Sequence, residues 1–164
     1  MAHIHNYRKE MLSVREYPTT GVDVIEVGDI LISSGGYAHS AVTMTNTVGT
    51  TAAARKLVVN DAGADAFIGV AMLGKLATET PTILVATDGV FEFFCTSPDA
   101  LKVGDSVSVD ASDDATTATG AAKYVIAASS TNGIGKVARN GEVGGTTILV
   151  HIRGKDMSTG PTID

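Results

Sequence analysis

The stretch Thr82-Ile83-Leu84-Val85-Ala86-Thr87-Asp88-Gly89-Val90-Phe91-Glu92-Phe93-Phe94-Cys95 decides how the chain is read. Two runs of β-branched and aromatic residues flank an Asp-Gly pair. Such a pair accepts the positive φ angles of a tight turn, so the stretch predicts a β-hairpin turning at Asp88-Gly89. Outward from it, Thr, Val, Ala and Gly dominate, and short apolar runs end at Gly or Asp. That composition favours strands over helices. The expected fold is all-β, with a compact β-barrel or sandwich-like body.

Four short words occur twice in the same order. Val27-Gly28-Asp29 returns as Val103-Gly104-Asp105, and Lys56-Leu57-Val58-Val59 is echoed by Lys123-Tyr124-Val125-Ile126. Ile68-Gly69-Val70-Ala71 is echoed by Ile134-Gly135-Lys136-Val137-Ala138, and Thr82-Ile83-Leu84-Val85 returns unchanged as Thr147-Ile148-Leu149-Val150. The order predicts two copies of one four-strand unit, each burying a face against the other. The interval from the Lys word to the Thr word is nearly the same in both copies. The interval from Gly28 to Lys56 exceeds that from Gly104 to Lys123, which places extra sequence in the first copy around Gly35 to Thr51. Words rich in Val and Gly also recur by chance in β proteins, so a single unrepeated domain is the alternative.

With 164 residues there is room for one domain with a core of its own. The expected division is an N-terminal arm at 1–22, a β body at 23–153 and a flexible tail at 154–164. Residues Ala111 to Ala122, rich in Ala, Thr and Asp, read as an exposed loop. Hydrophobic residues make up 44% and charged residues 18%, which excludes a disordered polymer, and no apolar run is long enough to span a bilayer. Met1 to Glu10 lack the apolar stretch of a signal peptide. The net charge of −6 and the scatter of the 12 basic residues argue against a nucleic-acid partner.

The motifs that could carry chemistry are weak. Gly69-Val70-Ala71-Met72-Leu73-Gly74-Lys75 has the spacing of a phosphate-binding loop, but Leu76 stands where a Ser or Thr would hold magnesium. Its apolar filling reads as a strand followed by a turn. His3 and His5 would share one side of a strand, yet no third metal ligand is visible, and a solvated arm is the plainer reading. Cys95 is the only cysteine, in an apolar run, and reads as a small buried hydrophobe. His39 and His151 are isolated in sequence. Asp29 and Asp105 each follow Gly and are expected to accept a backbone N–H in a turn. No catalytic residue, cofactor or metal site is expected, and the chain reads as non-enzymatic.

With these words laid out, the chain resembles the small decoration, or cement, proteins of tailed-phage heads. The residues that carry the resemblance are Val27-Gly28-Asp29, Ile68 to Ala71, Ala86 to Glu92, Leu101 to Val107, Gly135-Lys136-Val137 and Val150-His151-Ile152. It spans roughly Val24 to Arg153. The long arm and the Gly35 to Thr51 insert depart from the family's shorter members. The resemblance implies a barrel-like body on the outer surface of the virion, made in the host cytoplasm. Its implied partners are the major capsid protein and two further copies in a homotrimer, which together stabilise the expanded head. A tail or fibre component and a ligand-binding β module are the alternatives; the absence of Trp weakens the second.

Two segments are candidate contact surfaces. The arm carries Ile4, Tyr7, Met11, Leu12, Val14 and Tyr17 beside the cations Arg8, Lys9 and Arg15. Free tails seldom hold so many apolar side chains, so the arm is expected to order against a neighbour while the body folds without it, a frayed terminus being the alternative. The insert contributes Tyr37 and His39.

Overall fold

The computed structural model describes residues 13–21, 24–34, 36–41, 67–109, 123–128 and 133–154. Among them run nine strands: β1 (Ser13–Pro18), β2 (Ile30–Ser34), β3 (Tyr37–Ser40), β4 (Phe67–Ala71), β5 (Thr82–Phe94), β6 (Ser106–Val109), β7 (Val125–Ala127), β8 (Gly135–Val137) and β9 (Thr147–Arg153). One 3-10 turn, Pro98–Ala100, lies between β5 and β6. The fold is all-β and barrel-like. One sheet runs β3-β2-β4-β5-β9-β8-β6-β7, with β1 also paired to β5.

The Asp88-Gly89 hairpin does not form. β5 passes straight through both residues as one strand of 13. A hairpin would pair Thr82–Thr87 with Val90–Cys95, but each half has other partners. Thr82 to Asp88 lie along β1, Ala86 and Val85 along β4, and Asp88 to Phe94 along β9. Gly89, at φ 144°, takes a conformation that side chains resist. The glycine thus passes the strand from one half of the molecule to the other.

Each half curls into a small barrel. In the first, the path β1-β5-β4-β2-β3 closes where Thr19 bridges Ala38. In the second, β5-β9-β8-β6-β7 closes where Phe94 bridges Tyr124. The two barrels therefore share β5: its beginning ends the first copy, and its end opens the second. The pairing extends past the expected limits of the body. Ser13–Pro18, assigned to the arm, is a barrel strand, and Tyr17 is buried in its core. Gly154, assigned to the tail, donates its N–H to Thr87 O at 2.6 Å.

The repeat is visible bond by bond. Gly28 (φ 90°) donates to Ala71 O at 2.9 Å, and Gly104 (φ 91°) donates to Val137 O at 2.9 Å. Ala71 N–H returns to Asp29 O and Val137 N–H to Asp105 O, both at 2.9 Å. Met72 N–H reaches Leu84 O and Ala138 N–H reaches Leu149 O, both at 2.8 Å. Gly69 and Gly135 sit where the neighbouring strand crosses closely. A side chain at either would meet a valine Cγ1 at 2.8 Å (Val85 or Val150) and collide with the backbone of Ala86 or His151.

One pairing of the sequence words changes. β7 lies against β6 as β3 lies against β2, with Val107 opposite Ala127 and Leu31 opposite Ser40. The counterpart of Tyr124 is thus Tyr37. The Lys56 word and the Ala111 to Ala122 stretch lie outside the described residues, and so does most of the Gly35 to Thr51 insert, apart from β3.

Each barrel buries its own core. Tyr17, Ile25, Leu31, Ile68, Ile83 and Val85 fill the first, and their counterparts Phe93, Leu101, Val107, Ile134, Ile148 and Val150 fill the second. Full burial of each such side chain is worth roughly 1.5–3 kcal/mol before entropy is subtracted. Ile30, Val70 and Ala86 pair across β2, β4 and β5 on the outer wall of the first barrel, yet they belong to the second barrel's apolar cluster. With them cluster Phe91, Val109 and Ile152, from the end of the second barrel nearest Gly89. The tandem stops there. The counterparts of the wall are Ser106, Lys136 and His151, and the counterparts of the barrel end are Arg15, Ser33 and Thr87. Polar residues at these positions leave the apolar joint unrepeated on the far side of either barrel.

Candidate binding surface

Asp29 and Asp105 occupy matching turns and make the expected bond. Asp29 Oδ2 accepts Glu26 N–H at 2.9 Å, and Asp105 Oδ2 accepts Lys102 N–H at 2.8 Å. Their surroundings differ. Asp105 is exposed, whereas Asp29 is buried and also accepts Ser40 Oγ at 3.4 Å. Burial pushes the Asp29 carboxyl above its ordinary value, against the opposing pull of Glu26 N–H and the Lys123 cation.

Lys123 joins the barrels. It stands just before β7 in the second, bonds Glu26 of the first, and lies 3.6 Å from Asp29 Oδ1. Its hydrogen bond and charge hold the Glu26 carboxyl below the usual carboxylate range. Lys123 has no cationic counterpart in the first copy, where Gly36 takes that place in the β2–β3 turn.

Matching aromatic residues mark the two closing seams. Phe94 and Tyr124 stack with ring centroids 5.1 Å apart and both are exposed. At the first seam the corresponding residues are Pro18 and Tyr37, also exposed. Thr147 Oγ1 donates to Glu92 Oε1 at 2.7 Å beside the second seam, and Thr82 and Glu16 hold the same positions at the first. Similar residues therefore stand at both seams: a tyrosine, an apolar residue (Pro18 or Phe94) and a carboxylate.

Of the candidate contact residues, Ile4, Tyr7, Arg8, Lys9, Met11 and Leu12 lie outside the described residues. Arg15 is exposed on β1 and Tyr37 is exposed on β3, while His39 is half-buried. Tyr17 is no surface contact, because alternation along β1 turns it into the core while Glu16 and Pro18 face out. The structure thus separates Tyr17 from the others, and it leaves Tyr37 at the first seam as the counterpart of Tyr124 at the second. The matching strand registers were the signal for it.

The weak motifs resolve as structure. Gly69 to Ala71 lie in strand β4, and the buried Lys75 donates its Nζ to Leu76 O at 3.0 Å, so no phosphate-binding loop is built. Cys95 is buried in the second core. His151 is not isolated: its Nε2 lies 3.1 Å from Asp88 Oδ1 on the surface. Among the described residues no group of three His, Cys, Asp or Glu side chains could hold a metal, and no helix is long and apolar enough to cross a membrane. His3 and His5 are outside them. No protein-family model matches this chain, and no curated protein matches its sequence.

Proposed function

We propose that this is a structural protein of a phage head, binding the outer surface of the capsid and cementing neighbouring capsid subunits. The observation that carries the reading is the doubling of one barrel. Two units joined by a shared strand, an apolar joint and the Lys123 clasp present similar aromatic seams at Tyr37 and Tyr124. Such a body engages two copies of one subunit surface at once, and the second contact costs little further freedom once the first is made. Bridging of that kind resists separation of the subunits under internal pressure. The assembly proposed on the lattice is a homotrimer at three-fold positions, with the major capsid protein as partner and no enzymatic role.

The test looks first for a major capsid gene beside the gene for this chain, and then titrates purified protein onto undecorated expanded heads built from that capsid protein. Saturable binding that raises the disruption temperature of the heads is the expected result. Absence of binding, or a genome in which no capsid gene lies near this one, would count against the reading.

A further inference from the structure

The turn after β4 and the turn after β8 hold matching places in the two copies with opposite chemistry. Ile25 and Lys75 exchange backbone bonds at 3.1 and 2.8 Å, and Gly141 N–H donates to Leu101 O at 3.1 Å at the matching place. The repeat then sets Leu73 against Arg139 and Leu76 against Glu142. In the second copy Arg139 and Glu142 form an exposed ion pair at 3.3 Å. In the first copy the same two positions are leucines, 49% and 66% exposed. Val24, opposite Leu76 across the Ile25–Lys75 bridge, is exposed as well. The fold does not require leucine here, since the other copy holds the turn with charges.

The patch has an acidic margin. Glu79 accepts Leu76 N–H through Oε2 at 2.8 Å, whereas Glu26 on the neighbouring segment is already paired with Lys123. With the chain at −6, Glu79 leaves the patch rimmed by a negative charge that a second copy would not neutralise. A partner with apolar side chains flanked by Lys or Arg suits the patch instead.

We infer that Val24, Leu73 and Leu76 form a docking patch for a basic-flanked apolar segment of the capsid subunit, present on the first barrel alone. The inference rests on the capsid-binding reading and adds the site and its polarity. It makes the protein directional: one barrel anchors through leucines, and the other cannot.

The experiment writes the second copy's chemistry into the first. The full chain with Leu73→Arg and Leu76→Glu is compared with wild type in head titrations, thermal melts and sedimentation without heads. The melts should coincide, and the variant should bind heads at least about tenfold more weakly. Glu79→Gln should weaken binding and flatten its salt dependence. Equal head binding by the two chains would overturn the patch and leave the capsid reading standing. Failure of wild type to bind would overturn both. A wild-type oligomer that the variant abolishes in solution would assign the patch to a second copy and overturn the inference. Should the charged variant not fold, Leu73→Ala with Leu76→Ala is judged by the same outcomes.

Discussion

Lys123 Nζ lies 3.6 Å from Asp29 Oδ1, a contact between two barrels that also share a strand and an apolar joint. The cation comes from the second copy and the buried carboxylate from a turn of the first. The neighbouring Glu26 completes the clasp from a more exposed position. The two carboxyls respond to pH in opposite senses.

Asp29 is raised from 3.8, so the folded protein holds its proton more tightly than the unfolded chain does. Its contribution to stability therefore falls as pH rises above 3.8 through its folded value, and it is unfavourable at neutral pH. Glu26 is lowered from 4.5, so its contribution is present above 4.5 and is lost as pH falls below that through its folded value. Asp29→Asn keeps an oxygen for Glu26 N–H and removes the first effect. Its stability relative to wild type should rise between acid and neutral pH, as read by denaturant melts at several pH values. A parallel pair of curves would show that Asp29 does not titrate differently on folding.

Lys123→Met leaves Asp29 buried without its cation. A loss of about 1–3 kcal/mol at neutral pH is expected, with part of it recovered when Asp29→Asn is added. The double-mutant cycle measures the coupling; strict additivity would mean that the clasp carries none.

Gly69→Ala and Gly135→Ala force a side chain into the backbone of the adjacent strand, and each should cost about 3 kcal/mol or more. Gly104→Ala meets open space and only the positive φ resists it, so about 1–2 kcal/mol is expected. Chemical denaturation ranks the three, and a Gly104 variant as damaging as the other two would contradict the crossing geometry.

Removal of Ala2 to Pro18 takes β1 from the first barrel and should unfold it, contrary to the expectation that the body folds without its arm. Tyr17→Ala and Phe93→Ala delete matching core residues and should each cost about 3–5 kcal/mol. A cooperative melt at the wild-type temperature after the deletion would show that β1 is dispensable.

The repeat was legible because close backbone crossings and positive-φ turns restrict residue choice. Gly28 with Asp29 and Gly69 therefore reappear as Gly104 with Asp105 and Gly135. The path of β5 was not legible. Asp88-Gly89 has the local chemistry of a turn, and only the partners on either side, β1 and β9, select a straight strand. β3 escaped because Tyr37-Ala38-His39-Ser40 is short and mixed, so its likeness to the Tyr124 strand shows only in the pairing registers. The leucine patch lay inside the false phosphate motif. Only the aligned copies, with Arg139 at the place of Leu73, show that Leu73 and Leu76 are a choice and not a requirement.

The strand common to both barrels also sets an order on the ribosome. β5 can close the first barrel as soon as Asp88 has emerged, because β1 to β4 precede it. Its second half must then wait until β9 has been synthesised, about 60 residues later at several residues per second. During that interval Phe91 and Phe93 stand on an unpaired apolar edge, the kind of template on which nascent chains pair with one another. Each newly made chain thus passes through a half-built intermediate, whose apolar edge is covered only when β9 arrives.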